Sequence, residues 1–320
     1  MSPHVAVVIV GYRNAGDIVR CLAALEKSTY RDFEVVICEN GGGEAFSELR
    51  SQLPPALPNG QPVKLILAPS NRGYASGINI AMAGSRDADA WWILNPDTEP
   101  SPGAMAALVA RGAQGYDAVG GPILFPSGEI QSFGGFWSSW RAKGYSLGYG
   151  APAGTTPDAA AIERTQNYLS GASMYVGRTF VAVAGQMEER YFLYCEEVDW
   201  FLRAGRRGLR LGFAPDAVVV HHAGTTTGYG RSLGSLSGRA VFLDERNKML
   251  LTRTFFPMRL PVAACMAFVR IIGRYARQGA FLQIGFGAAG WLMGLFGRDG
   301  IPRWARGAPP LDRSALTSGP

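Results

Sequence analysis

A chain of 320 residues with 47% hydrophobic and 18% charged side chains has the make-up of a globular protein with a large core, which excludes a disordered or fibrous chain. The net charge of +6 does not mark a nucleic-acid surface: residues 1–256 hold 23 basic and 23 acidic side chains, and the excess falls in residues 257–320, with 8 basic and 2 acidic. Four scattered cysteines (Cys21, Cys38, Cys195, Cys265) without a C-x-x-C pair give no zinc or redox framework, and no secretory leader opens the chain, so a reducing cytoplasmic setting is expected.

Short β-branched runs alternate with helix-patterned segments, the pattern of a mostly parallel sheet covered by helices. The spacing predicts strands over 4–10, 33–38, 63–68 and 90–94, and helices over 16–28, 44–52 and 74–84, with a Pro-rich loop at 54–62. Another helix is expected after Pro102, and a strand over 117–124.

Polar residues fall at the carboxyl ends of the first four strands: Tyr12 to Asn14, then Glu39 and Asn40, then Asn71, then Asn95 and Asp97. Ligands of an open parallel sheet bind beyond those ends, so the clusters should converge. The plainer alternative is that Asn, Asp and Gly simply form turns there. A dinucleotide is disfavoured because "GYRNAG" lacks G-x-G-x-x-G, and no P-loop occurs. "GYSLG" (144–148) matches G-x-S-x-G around Ser146 but lacks the strand before it and the helix after it. A divalent cation bridging a diphosphate fits better, since Mg²⁺ or Mn²⁺ takes one or two carboxylates plus phosphate oxygens. Asp97 suits the ligand role on its buried strand, Asn95 would orient it or a sugar, and Glu99 reads as solvated.

In the second half, "YFLYCEEVDW" (191–200) predicts an apolar strand leading into Glu196, Glu197 and Asp199 in the first turn of a helix, where the dipole favours acids. The alternative is a first turn that is merely acid-rich. "LRLGFAPDAVVV" predicts a strand ending on His221 and His222, two of only three histidines and candidate metal or phosphate ligands.

From about Val5 to Pro257 the chain resembles the inverting nucleotide-sugar glycosyltransferases of family 2, especially their bacterial rhamnosyltransferase-like branch. The resemblance rests on "VVIVGYRNAG", "VVICENGGG", "NRGYASGIN", "LNPDTEP", "SGASMYVGR", "YFLYCEEVDW", "APDAVVVHHAG" and "RNKML" in that order. It implies the α/β GT-A fold over 1–256, with a nucleotide-sugar half to about 125 and an acceptor half over 126–256. It further implies that Asn95-Pro96-Asp97 replaces the metal-binding D-x-D, with Asp97 as ligand, and that His221, or His222 beside it, helps to hold metal or diphosphate. Tyr12, Asn14, Glu39, Asn40, Asn71, Gly73, Asn79 and Asn95 fall around the nucleotide sugar, and Arg246 near its phosphates. Glu197 takes the place of the general base, with Glu196 and Asp199 beside it. The family usually has Asp at both Glu197 and Glu39, and often Asn at Ile78. The implied donor is dTDP-rhamnose, with a UDP-hexose second, and the implied acceptor is a saccharide or lipid-diphosphate-linked saccharide of the cell surface. A catalytically silent nucleotide-sugar binding protein is the alternative from another class.

Past Pro257 the composition changes. Residues 261–278 place Arg270, Arg274 and Arg277 on one helical face, which suits an anionic membrane surface. Residues 278–297 carry no charge but six glycines, among them the stripe Gly287, Gly290, Gly294 and Gly297. Peripheral attachment to the cytoplasmic face through a helical appendage, 257–305, is therefore expected rather than a span. The alternative is a hairpin packed on the rest of the chain or on a second copy, as in a homodimer. Residues 306–320 are expected to be disordered.

Overall fold

The computed structural model describes residues 2–222 and 233–302. Elements follow as β1 (Val5–Gly11), α1 (Ala15–Leu25), β2 (Phe33–Glu39), α2 (Gly43–Gln52), β3 (Val63–Leu67), α3 (Tyr74–Ala83), β4 (Ala90–Leu94), β5 (Thr98–Pro100) and α4 (Ala104–Gly112). Then come β6 (Ala118–Gly120), β7 (Ile123–Leu124), β8 (Ile130–Ser132), β9 (Gly135–Ser138), β10 (Lys143–Ser146), α5 (Ala159–Thr165), β11 (Ser173–Gly177), α6 (Arg178–Ala184) and α7 (Glu196–Gly205). The chain closes with β12 (Leu211–Phe213), β13 (Val219–His221), α8 (Gly238–Phe255), α9 (Leu260–Ala276) and α10 (Phe281–Leu295).

A seven-stranded sheet runs β12-β6-β11-β4-β1-β2-β3, parallel except for β11, which is antiparallel to both its neighbours. Its central strands are buried on both faces, which is why they read as continuous Val/Ile runs rather than alternating ones. Fully burying each large apolar side chain contributes roughly 1.5–3 kcal/mol, so Trp91, Trp92, Ile93 and Leu94 of β4, all buried, anchor the turn that follows far more firmly than its polar residues loosen it. Both indoles are satisfied inside, Trp91 Nε1 donating to Ser85 Oγ (3.1 Å) and Trp92 Nε1 to Ser173 Oγ (3.0 Å).

Three strand readings are corrected. The run 117–124 is two strands, β6 in the large sheet and β7 in a four-stranded sheet of order β5-β13-β7-β8. The break falls at Gly121-Pro122, where a Cβ on Gly121 would lie 2.3 Å from the Ala217 carbonyl oxygen, so only glycine lets the chains pass. The run through "LRLGFAPDAVVV" likewise splits into β12 and β13, each in a different sheet. Ahead of α7 there is no strand: a 3-10 turn (Glu189–Tyr191) is followed by Phe192, Tyr194 and Cys195 at φ 67°, 74° and 70°. Ser146 closes an antiparallel β9–β10 hairpin, so no nucleophile elbow exists there.

The chain divides into two compact units after residue 223, earlier than the 256/257 boundary expected from composition, because α8 belongs with α9 and α10. In the second unit Gly290 and Gly294 pack on α8, where added Cβ atoms would lie 2.2 and 2.1 Å from the carbonyl oxygens of Phe242 and Arg246. The glycine stripe is thus used within the chain. Among the described residues no helix is long and apolar enough to cross a membrane. The tail expected at 306–320 lies outside the described residues. All four cysteines are thiols, with Cys265 exposed rather than buried.

Candidate functional site

Beyond β4 the chain turns through Asn95-Pro96-Asp97, closed by Thr98 Oγ1 donating to the Asn95 carbonyl (2.7 Å). β13 lies antiparallel to β5 with His221 opposite Thr98, which carries the imidazole to the same turn. His221 Nε2 stands 3.2 Å from Asp97 Oδ1 and 3.3 Å from Asn95 Nδ2, while Nδ1 stands 2.9 Å from Gln131 Oε1. With the amides oriented as they stand, Asn95 Nδ2 can only donate and Gln131 Oε1 can only accept. The ring therefore donates from Nδ1 to Gln131 and accepts from Asn95 at Nε2, beside the Asp97 carboxylate. Neighbouring strand residues point to opposite faces; accordingly His222 Nε2 meets Glu99 Oε1 instead, at 2.7 Å, so Glu99 is paired rather than merely solvated.

At the adjoining strand ends the predicted nucleotide residues gather, though several serve the loops themselves. Glu39, at the end of β2, is buried, its Oε1 accepting from the Gly41 (2.6 Å) and Arg13 (3.2 Å) amides. Burial pushes its carboxyl above the usual range against those two bonds. Gly11 and Gly41 make room for it, since a Cβ at either would lie 2.4 or 2.5 Å from its oxygens. Asn40 Nδ2 donates to the Gly73 carbonyl (3.0 Å), and Asn71 Oδ1 accepts from the Gly73 amide (3.0 Å). Asn14 Oδ1 accepts from the Tyr12 amide (2.9 Å), leaving Asn14 Nδ2 buried with no hydrogen-bond partner in the protein. Asn79 is a correction: its Nδ2 donates to the Met187 carbonyl (2.9 Å) and its Oδ1 accepts from the Met187 amide (3.1 Å), a structural tie from α3 to the 187–189 segment.

α7 places its three acids unequally. Asp199 is a second correction: Arg203 Nε donates to one oxygen (2.6 Å) and the Tyr191 hydroxyl to the other (2.9 Å), which makes it a clamp on the helix. Glu196 is buried, and its Oε2 has no hydrogen-bond partner. Burial first, and Glu197 second, push its carboxyl well above the usual range. Glu197 is half-buried beside Gly171, where an added Cβ would lie 3.9 Å from its Cγ. The Tyr74 hydroxyl donates between Asn95 Oδ1 (2.9 Å) and the Gly171 carbonyl (3.1 Å). Burial raises its pKa well above the usual value, with Glu196, Glu197 and Asp97 adding to the effect, so acids from both halves surround one phenol. Tyr74, Gly171 and Gln131 were not among the sequence candidates, although Tyr74 and Gly171 lie in two of the motifs that carry the resemblance; nothing in the local pattern of Gln131 separates it from an ordinary strand.

Because Glu196 holds a proton more tightly folded than unfolded, its ionisation costs stability once pH rises above ~4.3, the unfolded value. Glu196→Gln, which does not titrate, is therefore expected to melt higher than the parent at pH 8, by about 2–4 °C for each kcal/mol relieved. The difference should vanish near pH 4 in thermal denaturation curves.

Arg246, expected near the donor phosphates, belongs to the second unit. It lies fully buried there, Nη1 donating to the carbonyls of Asp299 (2.7 Å) and Gly300 (2.8 Å), and Nε to Asn247 Oδ1 (2.9 Å). Among the described residues no three His, Cys, Asp or Glu side chains are grouped to enclose a metal.

The family model "Glycosyl transferase family 2" matches residues 6–165. The N-acetylglucosaminyl-diphospho-decaprenol L-rhamnosyltransferase of Mycobacterium tuberculosis is 29% identical over 248 residues, 71% of this chain and 79% of its own. The low-salt glycan biosynthesis hexosyltransferase Agl10 of Haloferax volcanii is 22% identical over 271 residues, 80% of this chain and 78% of its own. Among solved structures, GalNAc-T7 with UDP, GalNAc and Mn²⁺ superposes with a TM-score of 0.62 at 16% identity, covering 92% of this chain and 56% of that one. The mannosyltransferase PcManGT of Pyrobaculum calidifontis, with GDP-Man and Mn²⁺, gives 0.54 at 15% identity, covering 92% and 88%. The shared architecture is GT-A.

Proposed function

The chain belongs to glycosyl transferase family 2, and on that footing we propose that it is a divalent-cation-dependent, inverting glycosyltransferase that moves L-rhamnose from dTDP-rhamnose onto a lipid-diphosphate-linked saccharide. The observation that carries the reading is the Asn95-Pro96-Asp97 turn at the end of β4, where the Tyr74 hydroxyl bonds to Asn95 (2.9 Å) and His221 Nε2 stands 3.2 Å from Asp97 Oδ1. The similarity to a rhamnosyltransferase whose name specifies a diphospho-decaprenol acceptor supports the choice of donor sugar and acceptor.

Asp97 and His221 fit a cation in their chemistry: a carboxylate oxygen and an imidazole nitrogen, both ligand types for a divalent ion, stand 3.2 Å apart. When bound, Mg²⁺ or Mn²⁺ would stabilise the charge that develops on the departing nucleotide diphosphate. Asn95 and Gln131 hold the His221 ring in register for that role. Glu197 takes the proton of the acceptor hydroxyl as its oxygen bonds to the anomeric carbon and the carbon–phosphate oxygen bond breaks. Tyr74 keeps its proton near neutral pH, so it orients Asn95 without competing as a base. Approach from the face opposite the leaving group inverts the anomeric centre and needs no sugar–protein intermediate.

The reading is tested with a panel of nucleotide sugars. We expect dTDP-rhamnose with Mn²⁺ to raise the Tm and to support transfer to a GlcNAc-diphospholipid, with both effects lost in EDTA. A UDP-hexose that surpasses it would replace the donor, and donor binding without any transfer would leave the silent binding protein.

A further inference from the structure

Among the described residues, the second unit leaves two apolar stripes uncovered. On α9 the buried positions are Ala263, Ala264, Ala267, Ile271 and Tyr275, and the opposite face carries Val262, Met266, Val269 and Ile272 at i, i+4, i+7 and i+10, all exposed. On α10 the glycines face α8, and Phe281, Leu292 and Phe296 fall along the outer face at i, i+11 and i+15, with Leu282 beside them. The exposures are large: Met258 91%, Val269 69%, Phe281 69%, Leu282 69% and Phe296 68%. Phe268 against Trp291, with ring centroids 5.0 Å apart, forms the seam between the two helices. Soluble monomers rarely leave so much apolar side chain in the open.

The charge around this face is one-sided. Residues 257–302 carry Arg259, Arg270, Arg274, Arg277 and Arg298 against Asp299 alone. Arg270 departs from the basic face expected of the sequence, turning to Glu245 at 3.5 Å. Arg274, Arg277 and Arg298 stay exposed. A two-fold contact through this surface would gather the excess positive charge of both copies around one interface with no acidic partner to balance it. An anionic bilayer meets both features, since its headgroups match the arginines while their stems and the apolar stripes reach the acyl boundary.

We propose that the outer faces of α9 and α10 form a docking surface for anionic lipid headgroups, with Val269, Phe281 and Leu282 entering the interface and Arg274 and Arg277 gripping the phosphates. The inference stands on the helical unit alone, and neither the donor nor the acceptor named above enters it. The surface would hold the chain on the bilayer without a spanning helix.

The test is sedimentation of the full chain with vesicles of phosphatidylcholine, with or without phosphatidylglycerol. We expect binding only to the anionic vesicles, and a loss of at least about tenfold in partitioning both for the triple variant Val269→Glu, Phe281→Glu, Leu282→Glu and for the pair Arg274→Glu, Arg277→Glu. All five side chains are exposed, and circular dichroism checks that each variant stays folded; the arginine pair reports independently should the triple variant fail that check. Equal binding to both vesicle types, undiminished binding by the folded variants, or a wild-type dimer that the triple variant dissolves without any vesicle binding would each overturn the proposal. Because no sugar transfer is read, failure here leaves the glycosyltransferase assignment untouched.

Discussion

Glu197→Gln is expected to lower sugar transfer by ~10²- to 10⁴-fold, the usual contribution of a positioned general base, while leaving donor affinity within a factor of about two. The substitution keeps the shape of the side chain beside Gly171 and removes only the capacity to take a proton. The structural load of the helix start falls on Asp199, held by Arg203 and Tyr191. Isothermal titration with donor and Mn²⁺, run beside a transfer assay, separates the two effects. Full activity in Glu197→Gln would remove it as the base, and a parallel loss of donor binding would make it a binding residue instead.

Asp97→Ala is expected to cost more, about a thousandfold or greater in kcat/KM, because on the proposed reading it removes the carboxylate that would hold the cation. The loss should appear in Mn²⁺-dependent donor binding as well as in turnover, which distinguishes it from Glu197→Gln. The backbone at this position also accepts from the His222 amide (3.0 Å), a bond that the substitution keeps, so the β5–β13 pairing should survive. His221→Ala should follow the same pattern with a smaller loss. Turnover indifferent to both Asp97→Ala and chelator would defeat the cation's part in the reaction.

The first half of the fold was legible because β1 and β4 are continuous apolar runs and β2 and β3 nearly so, each closely followed by Gly, Asn or Pro, and β4 (Ala90–Leu94) matches its predicted range. The meeting of Asn95, Asp97 and His221 followed from strand-end topology and from the family resemblance together. What stayed hidden depended on contacts distant in sequence. Whether 117–124 continues or breaks is decided by Gly121 passing the backbone of Ala217, far along the chain. "YFLYC" is aromatic and β-like in composition, yet three of its residues adopt left-handed backbone, a choice that propensity does not register. Asn79 sits inside a recognisable motif but answers to Met187, and Arg246 answers to carbonyls beyond α10. Asp199 could have been placed correctly, because Arg203 follows it by four residues on the same helix face.

The left-handed turn before α7 has one more implication. The Phe192 carbonyl accepts from the Tyr74 amide at 2.8 Å, and Gly73, at φ 98°, lies so near that an added Cβ would fall 2.0 Å from the same oxygen. One oxygen thus rivets the segment that presents the acids to the start of the helix that presents the phenol. Chimeras that graft this loop from a relative would have to import its Gly73 counterpart along with it.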